Sequence, residues 1–262
     1  MNKMKIAIIG AGNMGGATAR GLAIGQHINT QNIYVSNPSR GKLEAIKAEF
    51  PQINITQDNK ECVREADMII IAVKPWKLEE LAKEIAPELK NEKVIVGSMA
   101  AGISTDKIAS LFGYQHPIYT IIPNTAIAVL QSMTFIAGKN TTPEIDAEIL
   151  AIFQEMGEAM LVEERLIPAG MALASCGIAY AMRYIRAATE GGVELGMYAR
   201  DAQHIVEQTL KGAVALLQAN GSHPETEIDR VTTPGGITIR GLNAMEENGF
   251  TNSVIKGLKA SK

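Results

Sequence analysis

The run Gly10-Ala11-Gly12-Asn13-Met14-Gly15 follows directly on the short apolar segment Lys5–Ile9 and leads directly into the helical stretch Gly16–Ala23. A strand, a glycine-rich turn and a helix in immediate succession constrain the chain more than any other feature it has. Gly10 can make the tight turn, Gly12 can let the backbone approach a pyrophosphate, and Gly15 can let the helix pack on the strand. The helix N-terminus then offers unpaired N–H groups to the anion. Gly10, Gly12, Asn13, Met14 and Gly15 are therefore candidate dinucleotide-binding residues.

The surroundings extend this unit into a fold. Over the first 140 residues, short runs rich in Ile and Val alternate with amphipathic stretches, the pattern of βα units around a parallel sheet. Six strands are predicted at Lys5–Ile9, Ile33–Ser36, Ile53–Thr56, Met68–Val73, Val94–Gly97 and Ile118–Ile122, with Met133–Ala137 as a seventh. That predicts an α/β, doubly wound, Rossmann-type N-terminal domain.

Past Ala137 the strand pattern fades. Thr142-Pro143 reads as a cap with proline in the first turn, and Ile145, Ile149, Ile152, Phe153, Met156 and Met160 recur at helical spacing. Asp201–Asn220 repeats the device, with Asp201 as cap, an apolar stripe and Gly221 past its end. A boundary near Glu163-Glu164 divides the chain into a dinucleotide-binding domain, 1–163, and an all-α domain, 164–262. The uncharged stretch Leu166–Met182 is interrupted by Pro168, Gly170 and Gly177 and reads as a buried helix rather than a membrane span.

Composition narrows the function. With 25 Lys plus Arg against 28 Asp plus Glu, the net charge of −3 disfavours a partner gripped through phosphates, so nucleic acid is not expected. Cys62 and Cys176 are too few for a disulfide framework and fit neither a zinc site nor a redox pair, so no metal is expected. The N-terminal residues Met1-Asn2-Lys3-Met4-Lys5 carry no secretory signal, and a cytoplasmic protein without a membrane partner is expected.

The end of the second strand speaks to the cofactor. A site that prefers NADH usually has an acid there for the ribose 2′-hydroxyl, but this chain reads Tyr34-Val35-Ser36-Asn37-Pro38-Ser39-Arg40. The hydroxyls of Ser36 and Ser39, the Asn37 turn and the Arg40 guanidinium suit a 2′-phosphate, so NADPH is expected, with NADH as the alternative. Ligands of such sheets sit at the carboxyl ends of the strands, which flags Val73-Lys74-Pro75, Ser98-Met99-Ala100 and Pro123-Asn124-Thr125. A second concentration of hydroxyls, Val231-Thr232-Thr233-Pro234-Gly235-Gly236-Ile237-Thr238, precedes a helical run and could receive a carboxylate, or be a capped turn and no more.

Taken together, these segments resemble the bacterial pyrroline-5-carboxylate reductases. The likeness covers nearly the whole chain through Gly10–Gly15, Ala72-Val73-Lys74-Pro75, Ala100-Ala101-Gly102-Ile103, Pro123-Asn124-Thr125 and, most specifically, Thr232–Thr238 followed by Ala244-Met245-Glu246. The resemblance implies an NAD(P)-binding domain, a helical dimerisation domain, and reduction of the ring imine of 1-pyrroline-5-carboxylate to L-proline, the last step of proline biosynthesis. It implies that Asn59, Lys74, Ser98 and Ala100 lie near the cofactor. It further implies that Thr233, Thr238 and the Ile237 amide hold the substrate carboxylate, with Thr238 as the catalytic position, and that the active unit is at least a homodimer. Leu173-Ala174-Ser175-Cys176-Gly177-Ile178-Ala179-Tyr180 departs from the family's usual Leu-Ser-Gly-Ser-Gly-Pro-Ala-Tyr. Two rival expectations are another NADP-linked reductase of the β-hydroxyacid or ketopantoate type, which would need a catalytic lysine on a second-domain helix, and a non-catalytic NADPH-binding regulator.

Overall fold

A computed structural model describes residues 3–261; Met1, Asn2 and Lys262 lie outside the described residues. The chain forms two compact units, divided between Ser175 and Cys176.

The first unit is built on one sheet. Its strands are β1 (Ile6–Ile9), β2 (Ile33–Ser36), β3 (Asn54–Thr56), β4 (Met68–Ile71), β5 (Ile95–Ser98), β6 (Ile118–Ile122), β7 (Ser132–Lys139) and β8 (Gly157–Leu161). They lie in the order β3-β2-β1-β4-β5-β6-β7-β8. Neighbours run parallel, except that β6 and β7 are antiparallel. The order reverses between β1 and β4, which opens a crevice at their carboxyl ends.

Alternation along the central strands covers the sheet on both faces. Ile6 and Ile8 of β1 with Met68 and Ile70 of β4 join one core cluster, while Ala7, Ile9, Ile69 and Ile71 join the other. Helices α1 (Asn13–Ile24), α2 (Arg40–Glu49) and α6 (Pro143–Gln154) contribute to the first cluster; α3 (Asn59–Val63), α4 (Leu78–Ile85) and α5 (Thr105–Phe112) contribute to the second. Full burial of each such Ile or Leu is worth about 1.5–3 kcal/mol. Polar ties fix the outer elements. Tyr119 donates its hydroxyl to Asp146 Oδ1 at 2.6 Å, and burial together with that carboxylate pushes the phenol's pKa upward.

Strand β8 corrects the expectation of a helix running through Met156 and Met160. Helix α6 does start at Pro143 with Thr142 accepting the Ile145 N–H, but it ends at Gln154. Gly157 then adopts φ 129° beside the backbone of Ser132, and the chain turns into an edge strand paired with β7.

The first unit also reaches beyond residue 163. Ile167, in the short helix α7 (Ile167–Gly170), packs with Ile122 and Ala137, and Ser175 donates its hydroxyl to the Pro123 carbonyl at 2.6 Å. Met171–Cys176, which overlaps the start of the segment that departs from the family pattern, winds as a π-helix.

The second unit comprises α8 (Gly177–Glu194), α9 (Ala199–Asn220), α10 (Pro224–Arg230), α11 (Ile237–Glu247) and α12 (Phe250–Ala260). Gly192 lets α8 and α9 approach closely, since a Cβ there would stand 2.9 Å from that of Ala202. Helix α9 ends as expected, with Gly221 at φ 58° and its N–H on the Leu217 carbonyl. It begins earlier than expected: Tyr198 is the cap residue and Asp201 lies in the first turn, its N–H already bonded to the Tyr198 carbonyl. Ala202 is the one buried hydrophobic residue from Cys176 onward among the described residues.

The expected buried helix at Leu166–Met182 is met only in part. Ile167, Ala172 and Ala174 are buried, but Leu173, Tyr180 and Met182 are exposed on the single chain. The run Glu164–Glu194 is long and apolar enough, by length and composition alone, to cross a membrane.

Candidate functional site

A cleft of about 820 Å³ opens at the carboxyl ends of β1, β2 and β4. The glycine turn forms its floor. Gly10, at φ 105°, donates its N–H to the Ser36 carbonyl at 2.8 Å, and a Cβ there would lie 2.8 Å from the Ala72 carbonyl oxygen. A Cβ on Gly15 would strike the Gly10 carbonyl and stand 2.8 Å from the Ala72 Cβ, so only glycine lets α1 seat against the turn. Gly12 is the opposite case, with nothing within 4 Å of an added Cβ. Helix α1 has no side-chain cap at Gly12 and no acid in its first turn, so its N–H groups meet the cleft unneutralised.

Gly12, Asn13 and Met14 line the cleft from this floor; Asn37 and Ser39 line it from the end of β2. Val73, Lys74 and Pro75 line it after β4, with Asn59 and Ala100 on adjoining walls. The structure thus brings together most of the residues flagged in the sequence, and Gly10 lines the cleft with them.

Five flagged residues do not reach it. Gly15 is spent on helix packing. Ser36 is fully buried and donates to Asn59 Oδ1 at 2.8 Å, so its hydroxyl positions Asn59 instead of facing the cleft. Asn59 in turn donates to Glu84 Oε2 at 3.1 Å. Ser98, also fully buried, accepts the Ala100 N–H at 3.2 Å. Asn124 caps the following turn through the Ala126 N–H, which leaves Thr125 on the cleft wall in its place. Arg40 donates to Glu44 Oε1 at 2.8 Å and is absent from the lining.

Sequence reasoning missed Lys42, Lys77, Glu80 and Glu84, which do line the cleft. They stand on α2, α4 and the turn before α4, and their spacing from the strand ends was the available signal.

The second candidate lies in the helical unit. Gly235 at φ 69° turns the chain, and the Gly236 N–H donates to the Thr233 carbonyl at 2.9 Å, so α11 starts on an uncapped Gly236 with no acid in its first turn. Thr232 bonds its hydroxyl to the Ile228 carbonyl and is used up locally. Thr233, Ile237 and Thr238 are exposed, Ile237 by 82%.

Other titratable groups stand apart. Cys62 is buried in the first unit, and burial pushes its thiol up to about 12. His116 is buried with Nδ1 on the Val94 carbonyl, and His27 pairs with Glu148. Among the described residues no cluster of three or more His, Cys, Asp or Glu side chains could hold a metal ion.

The family model for pyrroline-5-carboxylate reductase dimerisation matches residues 164–262, and that for the coenzyme F420-dependent NADP oxidoreductases matches residues 5–102. Pyrroline-5-carboxylate reductase 2 of Dictyostelium discoideum is 37% identical, with 99% of this chain and 91% of that protein covered. The pyrroline-5-carboxylate reductase of Methanosarcina acetivorans is 36% identical over 100% of this chain and 98% of its own. The crystal structure of Plasmodium falciparum pyrroline carboxylate reductase with NADP bound superposes with a TM-score of 0.91 at 27% identity, covering 100% of this chain and 96% of that one. In sequence, in fold and over its full length, the chain belongs to the pyrroline-5-carboxylate reductase family.

Proposed function

We propose that the protein reduces the ring imine of 1-pyrroline-5-carboxylate to L-proline with NADPH as reductant, the closing step of proline biosynthesis. The observation that carries this reading is the open, uncapped glycine turn at Gly12, which fits a pyrophosphate both sterically and electrostatically. Gly10, Gly12, Asn13 and Met14 would hold the diphosphate, Asn37 and Ser39 the adenosine ribose, and Asn59, Val73, Lys74, Pro75 and Ala100 the remaining walls. Bound there, the cofactor supplies a hydride to the imine carbon.

The chain's own share is positioning. The Thr233 and Thr238 hydroxyls and the Ile237 N–H form an exposed, uncapped helix start suited to the substrate carboxylate. Holding the substrate by its carboxylate turns a bimolecular encounter into an oriented one. None of the four histidines belongs to a recognised motif, and we assign no general acid; the ring nitrogen enters as the protonated iminium.

The protein works as a homo-oligomer of at least two chains in the cytoplasm. Support comes from the nearly coreless helical unit and from two cysteines that are both free. Purified protein supplied with NADPH should consume it with 1-pyrroline-5-carboxylate and not with 3-hydroxy-acid precursors or ketopantoate. Turnover of the latter with none of the former would refute the reading.

A further inference from the structure

A 2′-phosphate at the end of β2 needs a cation, and the arginine that the sequence offers there is turned elsewhere. Arg40, first residue of α2, is 76% exposed, holds Glu44 one turn along the helix and stays off the cleft wall. Lys42 stands two residues on. Helix side chains lean toward the N-terminus, so Lys42 lies back over the β2–α2 turn. It lines the main cleft with Asn37 and Ser39, and it also lines a smaller cavity of about 360 Å³ that shares Gly12 and Asn13 with the cleft.

The surroundings leave Lys42 available. Helix α2 has no acid in its first turn, and its cap residue Ser39 makes no capping bond, so the Ser39 hydroxyl is also at hand. The neighbouring arginine of the smaller cavity, Arg20, is held by both carboxylate oxygens of Glu49, and that hydrogen-bonded pairing lowers the Glu49 pKa. In a doubly wound fold the residues just past the second strand face the ribose 2′ position, whereas Lys74 and Lys77 follow β4.

We propose that Lys42, with the Ser39 hydroxyl, is the group that selects the 2′-phosphate of NADPH over the 2′-hydroxyl of NADH, and that Arg40 is not. This inference rests on the cleft being a dinucleotide site. An ammonium serves as a point charge for the phosphate and gains much less from a neutral ribose hydroxyl, which is why the two cofactors separate.

The test is steady-state kinetics of the full chain with each cofactor for the wild type and for Lys42→Ala, Lys42→Arg, Arg40→Ala and Lys77→Ala, alongside titration with adenosine 2′,5′-bisphosphate and with AMP. In Lys42→Ala, kcat/KM for NADPH and affinity for the bisphosphate should fall by about tenfold or more, while the NADH and AMP values change by less than about twofold. Lys42→Arg should restore most of the loss. An unchanged NADPH-to-NADH ratio in Lys42→Ala, or a selective NADPH loss carried by Arg40→Ala or Lys77→Ala, overturns the inference while leaving the cofactor cleft standing. A wild-type chain that binds neither cofactor nor either nucleotide overturns the cleft assignment and this inference with it.

Discussion

Asn37 Oδ1 accepts the backbone N–H of Ala11 at 3.0 Å, so a side chain from the end of β2 braces the glycine turn after β1. Where an acid is usual in NADH-preferring sites, this chain has an amide that serves both the turn and, through its Nδ2, the Ser39 carbonyl at 3.1 Å. Asn37→Asp keeps the acceptor for Ala11 and adds negative charge, and it should weaken NADPH binding while sparing NADH. Asn37→Ala removes the brace and should weaken both, by about 1–2 kcal/mol. Calorimetric titration of the two variants with each cofactor separates these outcomes; equal losses in Asn37→Asp would contradict the account.

Gly12 and Gly15 should fail in different ways when given a methyl group. Gly15→Ala collides with the Gly10 carbonyl and Ala72 and should cost about 3 kcal/mol of stability. Gly12→Ala meets nothing in the protein, so the variant should melt within about 0.5 kcal/mol of the parent yet lose cofactor binding, because its methyl occupies the space assigned to the diphosphate. Thermal denaturation paired with cofactor titration checks both. A stable Gly12→Ala protein that binds NADPH normally would remove Gly12 from the site.

These contrasts also show what the sequence could and could not tell. Strands β2 and β6 appear at their expected residues, and β1, β4 and β5 within one or two, because each is a short stretch anchored by Ile or Val and almost wholly buried. Strand β8 hid behind residues that also match helical spacing, and only the backbone of Gly157 breaks that pattern. The glycine roles were legible because they follow from sterics at one turn. The fates of Ser36, Ser98 and Arg40 were not, since each is settled by a partner chosen in three dimensions: Asn59, the Ala100 amide and Glu44.

Thr238→Ala should lower kcat/KM for the imine by about 1.5–3 kcal/mol in transition-state terms, the usual loss of a hydrogen bond to a charged group. The residue is exposed in the first turn of α11, so folding should be unaffected. Unchanged kinetics in a correctly folded variant would dismiss the carboxylate assignment.

Activity should depend on assembly. Leu195, Tyr198 and Ile237 are more than four-fifths exposed, at 88%, 84% and 82%, in a unit with almost no core of its own. Such surface calls for a partner copy, with folding linked to protomer concentration. Sedimentation across a dilution series should show activity falling together with the oligomer, whereas a fully active 28.1 kDa species would refute this.

The most direct test of the central claim follows the hydride itself. Purified protein is given 1-pyrroline-5-carboxylate and NADPH carrying deuterium at both positions of the nicotinamide C4, and the product is analysed by mass spectrometry and NMR. The account predicts L-proline carrying one deuterium on C5, the former imine carbon, with one NADPH oxidised per proline formed. Cofactor left unoxidised, or proline formed without the label, would contradict it.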